Sequence, residues 1–278
     1  MIKLLLNNKT NNFDTKLNTY LRNNINLEWI KKNIVKNNKR NYINIFLNYN
    51  FVYRNPQGEE LLIDTVIKFL TEKHELIIID GGYNRGKWSE YVLNKITPKQ
   101  IIGYELLDTT YNYFKKNESN KLKILHKGLY NQNRIINLNS TKCGCNSYNV
   151  EDNINSNTKD TINTVELVTL DSELKEKDNC LFFIKIDIEG SEYKAIEGMV
   201  ELLKNKKILG VQWEMNKVHS NISNSLKDFI DLFQKFNFYT FILGKDHLLR
   251  IDSQFYNKFY DFKSTSSIWN KSTIETRA

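Results

Sequence analysis

The chain alternates between two hydrophobic periods. Short apolar runs recur at 76–79, 101–104, 122–125, 165–170, 181–186 and 208–213, each the length of a buried strand. Between most of them apolar residues return every three or four positions, the spacing of a helix with one buried face. The segment 59–72 places Leu62, Val66, Phe69 and Leu70 on one side, and 87–94 carries Trp88, Tyr91 and Val92. Further helices are predicted over 109–116, over 191–203 with Ala195, Ile196, Met199 and Leu203 inward, and over 225–236. Strands that alternate with helices imply right-handed crossovers and a mostly parallel sheet. The run 135–138 predicts one more strand, and 238–243 with 248–251, parted by Gly244-Lys245-Asp246, a closing hairpin. The stretch 139–163 breaks the rhythm: it is polar and helix-poor, the composition of a long loop beside a site or of a disordered segment. Near the start, Leu17, Leu21 and Ile25, then Trp29, Ile30 and Ile34, fall near helical spacing and predict short helices in an Asn-rich context.

Composition narrows the class. The 278 residues, 40% of them hydrophobic, suffice for one large α/β domain with an N-terminal extension. The expected division is an Asn/Lys-rich extension or cap over 1–55 and a main domain over 56–278. Residues 1–60 carry ten Lys and Arg against four Asp and Glu, so most of the net charge of +8 lies there. A basic arm suits nucleic acid, anionic lipid or a phosphorylated substrate, but a solvated Lys-rich face accounts for it as well. Cys143, Cys145 and Cys180 form no even disulfide framework, which points to a reducing compartment. Cys143-Gly144-Cys145 is too tight for usual zinc spacing. The start lacks a signal-peptide core, and no run approaches the roughly 18 apolar residues of a membrane span. A soluble, cytoplasmic protein is the expectation.

Two constellations carry chemistry. The first, Asp80-Gly81-Gly82-Tyr83-Asn84-Arg85-Gly86, follows a predicted strand and opens a helix. Glycines at such a turn let backbone N–H groups approach a ligand that a Cβ would exclude. The spacing is not G-x-G-x-x-G, which counts against a nicotinamide enzyme. Glu105 ends the next strand, where an acid is placed to accept from both hydroxyls of a ribose. The second is Phe183-Ile-Lys-Ile-Asp187-Ile-Glu189-Gly190-Ser191-Glu192, an apolar run ending in two carboxylates and a glycine before a helix. The following strand ends in Gln212-Trp213-Glu214-Met215-Asn216, with His219 shortly after. Asp187, Glu214 and Asn216 would then share one edge of the sheet, and their oxygens suit Mg²⁺ with several waters. The plainer reading is that the acids cap backbone N–H groups and fix the loop. Asp171 is expected to cap its own helix, Ser191 to cap the next, and Glu192 to complement that helix's dipole.

The second constellation resembles the KIDVEGxE signature of the FkbM family of S-adenosylmethionine-dependent methyltransferases, and the first resembles that family's DxGANxG loop, in the same order. Asp80, Gly82, Asn84 and Gly86 match; Tyr83 stands where the family has a small residue and Arg85 where it has an apolar one. Thr169-Leu170-Asp171 is similar to the family's TLD step. The resemblance spans about residues 76 to 216. It implies a Rossmann-like class I methyltransferase fold, with seven strands, mostly parallel, the last antiparallel, and a helical N-terminal extension. It implies S-adenosylmethionine held by Asp80, Gly82, Asn84, Gly86 and Glu105. The expected activity is O-methylation of a hydroxyl on a sugar, glycan or small natural product, with Asp187, Glu189 and His219 as candidate catalytic residues. Methyl transfer to a hydroxyl needs an in-line acceptor and a base or metal to take its proton. Two alternatives stay open: an RNA methyltransferase gripping through the basic N-terminus, and a non-catalytic binding domain that kept the fold.

Overall fold

The computed structural model describes residues 42–48, 57–139, 162–177, 179–215, 224, 226–243 and 248–251. The chain divides into two compact units, residues 60–214 and residues 1–59 with 215–278.

In chain order the first described element is β1 (Tyr42–Asn48), a strand that the Asn-rich sequence hid. A helix follows, made of α1 (Gln57–Leu62), a π-helical turn (Ile63–Ile67) and α2 (Lys68–Lys73). The wider π turn brings Ile63 and Ile67 to the buried side with Leu62, Val66 and Leu70, so the apolar face is broader than a regular helix gives. Next come β2 (Leu76–Gly81), α3 (Lys87–Lys95), β3 (Gln100–Glu105), α4 (Asp108–Phe114), β4 (Leu122–Leu129) and β5 (Arg134–Asn139). The chain continues with β6 (Ile162–Val168), α5 (Leu170–Glu173), β7 (Leu181–Ile186), α6 (Glu192–Glu197), α7 (Val200–Lys204) and β8 (Ile208–Met215). The last described elements are α8 (Leu226–Lys235), β9 (Phe238–Leu243) and β10 (Leu248–Ile251).

The larger unit holds a seven-stranded sheet in the order β8-β7-β2-β3-β4-β6-β5. All neighbours run parallel except β5, which pairs antiparallel with β6 at the edge. This is the mostly parallel α/β sheet the alternating pattern implied. The central strands β2 and β7 are apolar apart from Asp80 and Gly81 at the end of one and Lys185 in the other, because both faces of a parallel sheet are covered. Buried Ile78, Ile79, Phe182, Phe183 and Ile184 form its middle. In the smaller unit, β1 runs parallel to β9, and β10, the last described strand, runs antiparallel to β9.

Three local expectations change. The helix expected over 191–203 is two short helices, broken at Gly198-Met199. A Cβ on Gly198 would lie 2.1 Å from the Tyr130 carbonyl oxygen, so the close approach of that backbone requires glycine and interrupts the helix. The cap of α5 is Thr169, whose hydroxyl accepts from Ser172 N–H; Asp171 instead accepts from Glu201 and Leu202 N–H at 3.0 and 2.9 Å and so caps α7. Ser191 precedes α6, but its buried hydroxyl makes no capping bond. The helices expected around 17–34, most of the polar 139–163 stretch, Cys143 and Cys145 lie outside the described residues. Among the described residues no helix is long and apolar enough to cross a membrane.

Candidate active site

The loop after β2 is shaped by three left-handed residues: Gly82 at φ 78°, Asn84 at φ 50° and Gly86 at φ 70°. Gly82 is required twice over, since a Cβ there would also lie 1.8 Å from the Asp187 carbonyl oxygen. Asn tolerates the left-handed region better than most side chains, which accounts for Asn84. The N–H groups of Gly82 and Tyr83 both donate to the Tyr104 carbonyl, at 3.0 and 2.9 Å, and tie the loop to the end of β3. Tyr83 and Arg85, the two departures from the family pattern, are accommodated differently. The Tyr83 ring is buried against Gly103 and Gly86, where any Cβ would clash with it. Arg85 is exposed at the loop tip.

Each acid of this loop has structural partners. Asp80 is fully buried; its Oδ2 accepts from Ser89 Oγ of α3 at 2.6 Å, and its Oδ1 lies 3.1 Å from the Lys185 ammonium. Glu105, also buried, accepts Asn84 N–H on Oε2 at 2.7 Å and Leu107 N–H on Oε1 at 2.8 Å. Burial raises its pKa against the lowering effect of those two bonds. Each oxygen retains a second lone pair, so the carboxylate can anchor the loop and still accept from a ligand.

The second loop begins where β7 ends. Glu189 at φ 59° and Gly190 at φ 112° reverse the chain between strand and helix. Glu192 is completely buried and its carboxylate accepts from Ile188 N–H at 3.1 Å and from Gly190 N–H at 3.0 and 3.1 Å. Beyond any dipole effect, then, it holds the loop in shape. Strand register sets Ile186 opposite Trp213, which brings Glu214 beside Asp187. Oxygens of Asp187, Glu189 and Glu214 all lie within 4.8 Å of one another. Burial and the neighbouring charge of Asp187 push the Glu214 pKa up to about 10, so this carboxyl stays protonated at neutral pH. A divalent cation would relieve that crowding, and the all-oxygen donor set suits a hard ion such as Mg²⁺. Among the described residues the acidic trio is Asp187, Glu189 and Glu214; Asn216 and His219 lie outside the described residues.

Two groups carry more of this arrangement than the sequence suggested. Lys185, a cation within an apolar strand, and Ser89, a hydroxyl on the inward face of α3, both converge on Asp80. The signal for Lys185 was its charge in a run otherwise made of Phe and Ile. Cys180, also singled out, is a free buried thiol at the start of β7, at the opposite end of that strand from the carboxylates.

A family model for the methyltransferase FkbM domain matches residues 80–241, more than half of the chain and both loops. The chain belongs to the FkbM methyltransferase family. Among solved structures, it is similar to methyltransferase FkbM from Methylobacillus flagellatus KT, at 15% identity and a TM-score of 0.33, over 47% of this chain. The match spans 31% of that protein's own length. No curated protein matches the chain.

Proposed function

We propose that this FkbM-family chain is an S-adenosylmethionine-dependent O-methyltransferase acting on a hydroxyl of a sugar, glycan or small natural product. The observation that supports it best is the contact of the two loops: the glycine loop after β2 lies against the Asp187 backbone, with Asp187 N–H donating to Gly81 O at 3.0 Å. A cofactor seated on residues 80–86, its ribose on Glu105, would thus be next to a cluster of three carboxyl groups at the same sheet edge. S-adenosylmethionine supplies an electrophilic methyl group on sulfur.

The side chains divide the remaining work. Asp187, 40% exposed, faces the space an acceptor would enter and takes the hydroxyl proton as the oxygen attacks. Glu189 lines the same space, with its backbone fixed by the Glu192 carboxylate. Were Mg²⁺ bound, Asp187, Glu189 and Glu214 would hold it, and the ion would lower the pKa of an oxygen it contacts. His219 remains a proposed base on the sequence alone.

The test is calorimetric titration with S-adenosylhomocysteine, followed by transfer of labelled methyl from S-adenosylmethionine to a panel of hydroxylated glycans and small molecules, with and without chelator. Binding and chelator-sensitive labelling of a hydroxyl are expected. Absence of binding by the folded protein overturns the reading in favour of a non-catalytic domain. Labelling of RNA, with strong salt dependence, would instead favour the nucleic-acid alternative.

A further inference from the structure

We propose that Lys185 is a positioning residue for methyl transfer, whose buried ammonium locks the cofactor loop to the acceptor-side Asp187; this rests on the methyltransferase reading above. The placement follows from sheet register. Lys185 lies opposite Asp80 in the parallel pair of β7 and β2, so a cation from one signature faces an acid from the other. Asp187 lies two residues further on, the spacing that returns a strand side chain to the same face.

The ammonium makes three contacts that belong to different parts of the site. It lies 3.1 Å from Asp80 Oδ1 and 3.5 Å from Asp187 Oδ2, and donates to the Gly82 carbonyl at 3.3 Å. Lys185 is only 6% exposed and Asp80 not at all. A lysine taken this far out of water is costly unless paired, and here the pairing spans both loops. From Asp80 the network continues to Ser89 at 2.6 Å, so helix α3, strand β2, strand β7 and both loops are joined through one charge. The backbone bond from Asp187 to Gly81 O fixes the same distance a second time. With both loops set, the base cannot drift from the cofactor. This matters because in-line transfer is sensitive to displacements of about an ångström.

The charge itself has a consequence. S-adenosylmethionine bears a sulfonium, and S-adenosylhomocysteine, the product, is neutral at sulfur. A fixed cation at the junction of the loops weighs against the charged form, so its removal should penalise product more than substrate. Loss of packing alone would weaken both ligands in equal proportion.

The experiment compares wild type, Lys185→Met and Lys185→Gln by calorimetry with each of the two ligands, alongside denaturation curves. Lys185→Gln keeps an amide able to donate to Asp80, and it decides the matter where Lys185→Met fails to fold. Expected is a tenfold or greater loss of S-adenosylhomocysteine affinity, with a loss for S-adenosylmethionine at least threefold smaller. Unchanged affinities in a folded variant, or a loss for S-adenosylmethionine equal to or greater than that for the product, overturn the assignment. If wild type itself binds neither ligand, the methyltransferase reading falls with it; if wild type binds and the folded variants bind both ligands as wild type does, only the role of Lys185 falls.

Discussion

Replacing Glu214 by Gln should make the cation-free protein more stable, although it removes a polar contact of the site. Glu214 is the penultimate residue of β8, with the Asp187 and Glu189 carboxyl groups beside it, and its pKa is raised from 4.5 to about 10 by burial and the charges of Asp187, Glu189 and Glu192. For a carboxyl whose folded pKa lies above the unfolded value, the unfolded chain releases its proton first. Stability is therefore fully present below pH 4.5 and is lost as pH rises toward 10. At pH 7 the unfolded group is about 2.5 units past its pKa, and at about 1.4 kcal/mol per unit the ceiling on the loss is about 3 kcal/mol. Solvent reaching half-exposed Asp187 screens part of this, leaving a gain of about 1–2 kcal/mol for Glu214→Gln. The assay is urea denaturation of both proteins at pH 6, 7 and 8 in chelator. Glu214→Gln should be the more stable, with a difference that widens as pH rises. A saturating divalent cation should narrow or reverse it, because the ion binds the folded wild type. Equal stability with equal pH dependence would refute the crowded-carboxylate account.

Gly82→Ala should destabilise the fold by at least about 2 kcal/mol and abolish S-adenosylhomocysteine binding, because left-handed backbone and a Cβ 1.8 Å from the Asp187 carbonyl coincide; thermal melts and calorimetry check this. Glu105→Ala should weaken cofactor binding by roughly 1–3 kcal/mol, the scale of losing hydrogen bonds to a charged group, and unchanged calorimetric affinity would count against the ribose assignment. Asp187→Asn should remove most turnover in the labelled-methyl assay while leaving S-adenosylhomocysteine affinity within a few fold, since a proton acceptor acts in the transition state; retained turnover would leave it a loop-fixing carboxylate.

The alternation of apolar periods along the chain determines the strands and helices of the larger unit. Strands β2, β3 and β7 fell within two residues of where their Ile- and Phe-rich runs predicted, because a strand covered on both faces must be mostly apolar. The glycine loop and the acid-rich loop were equally legible, since positive φ and strand-end acids leave a local mark. Other features were settled only by long-range contact. Strand β1 was invisible in its Asn-rich setting and exists by pairing with β9, some two hundred residues away in the chain. The break between α6 and α7 comes from the Tyr130 backbone, and the cap of α7 comes from Asp171 some thirty residues earlier. Lys185 read as an ordinary strand residue until register set it against Asp80 across a separation of 105 positions. The raised pKa of Glu214 follows from which carboxylates β7 and β8 bring together. Local sequence specifies the backbone each segment prefers; charges and close approaches act through space, and only the packed sheet decides which of them meet.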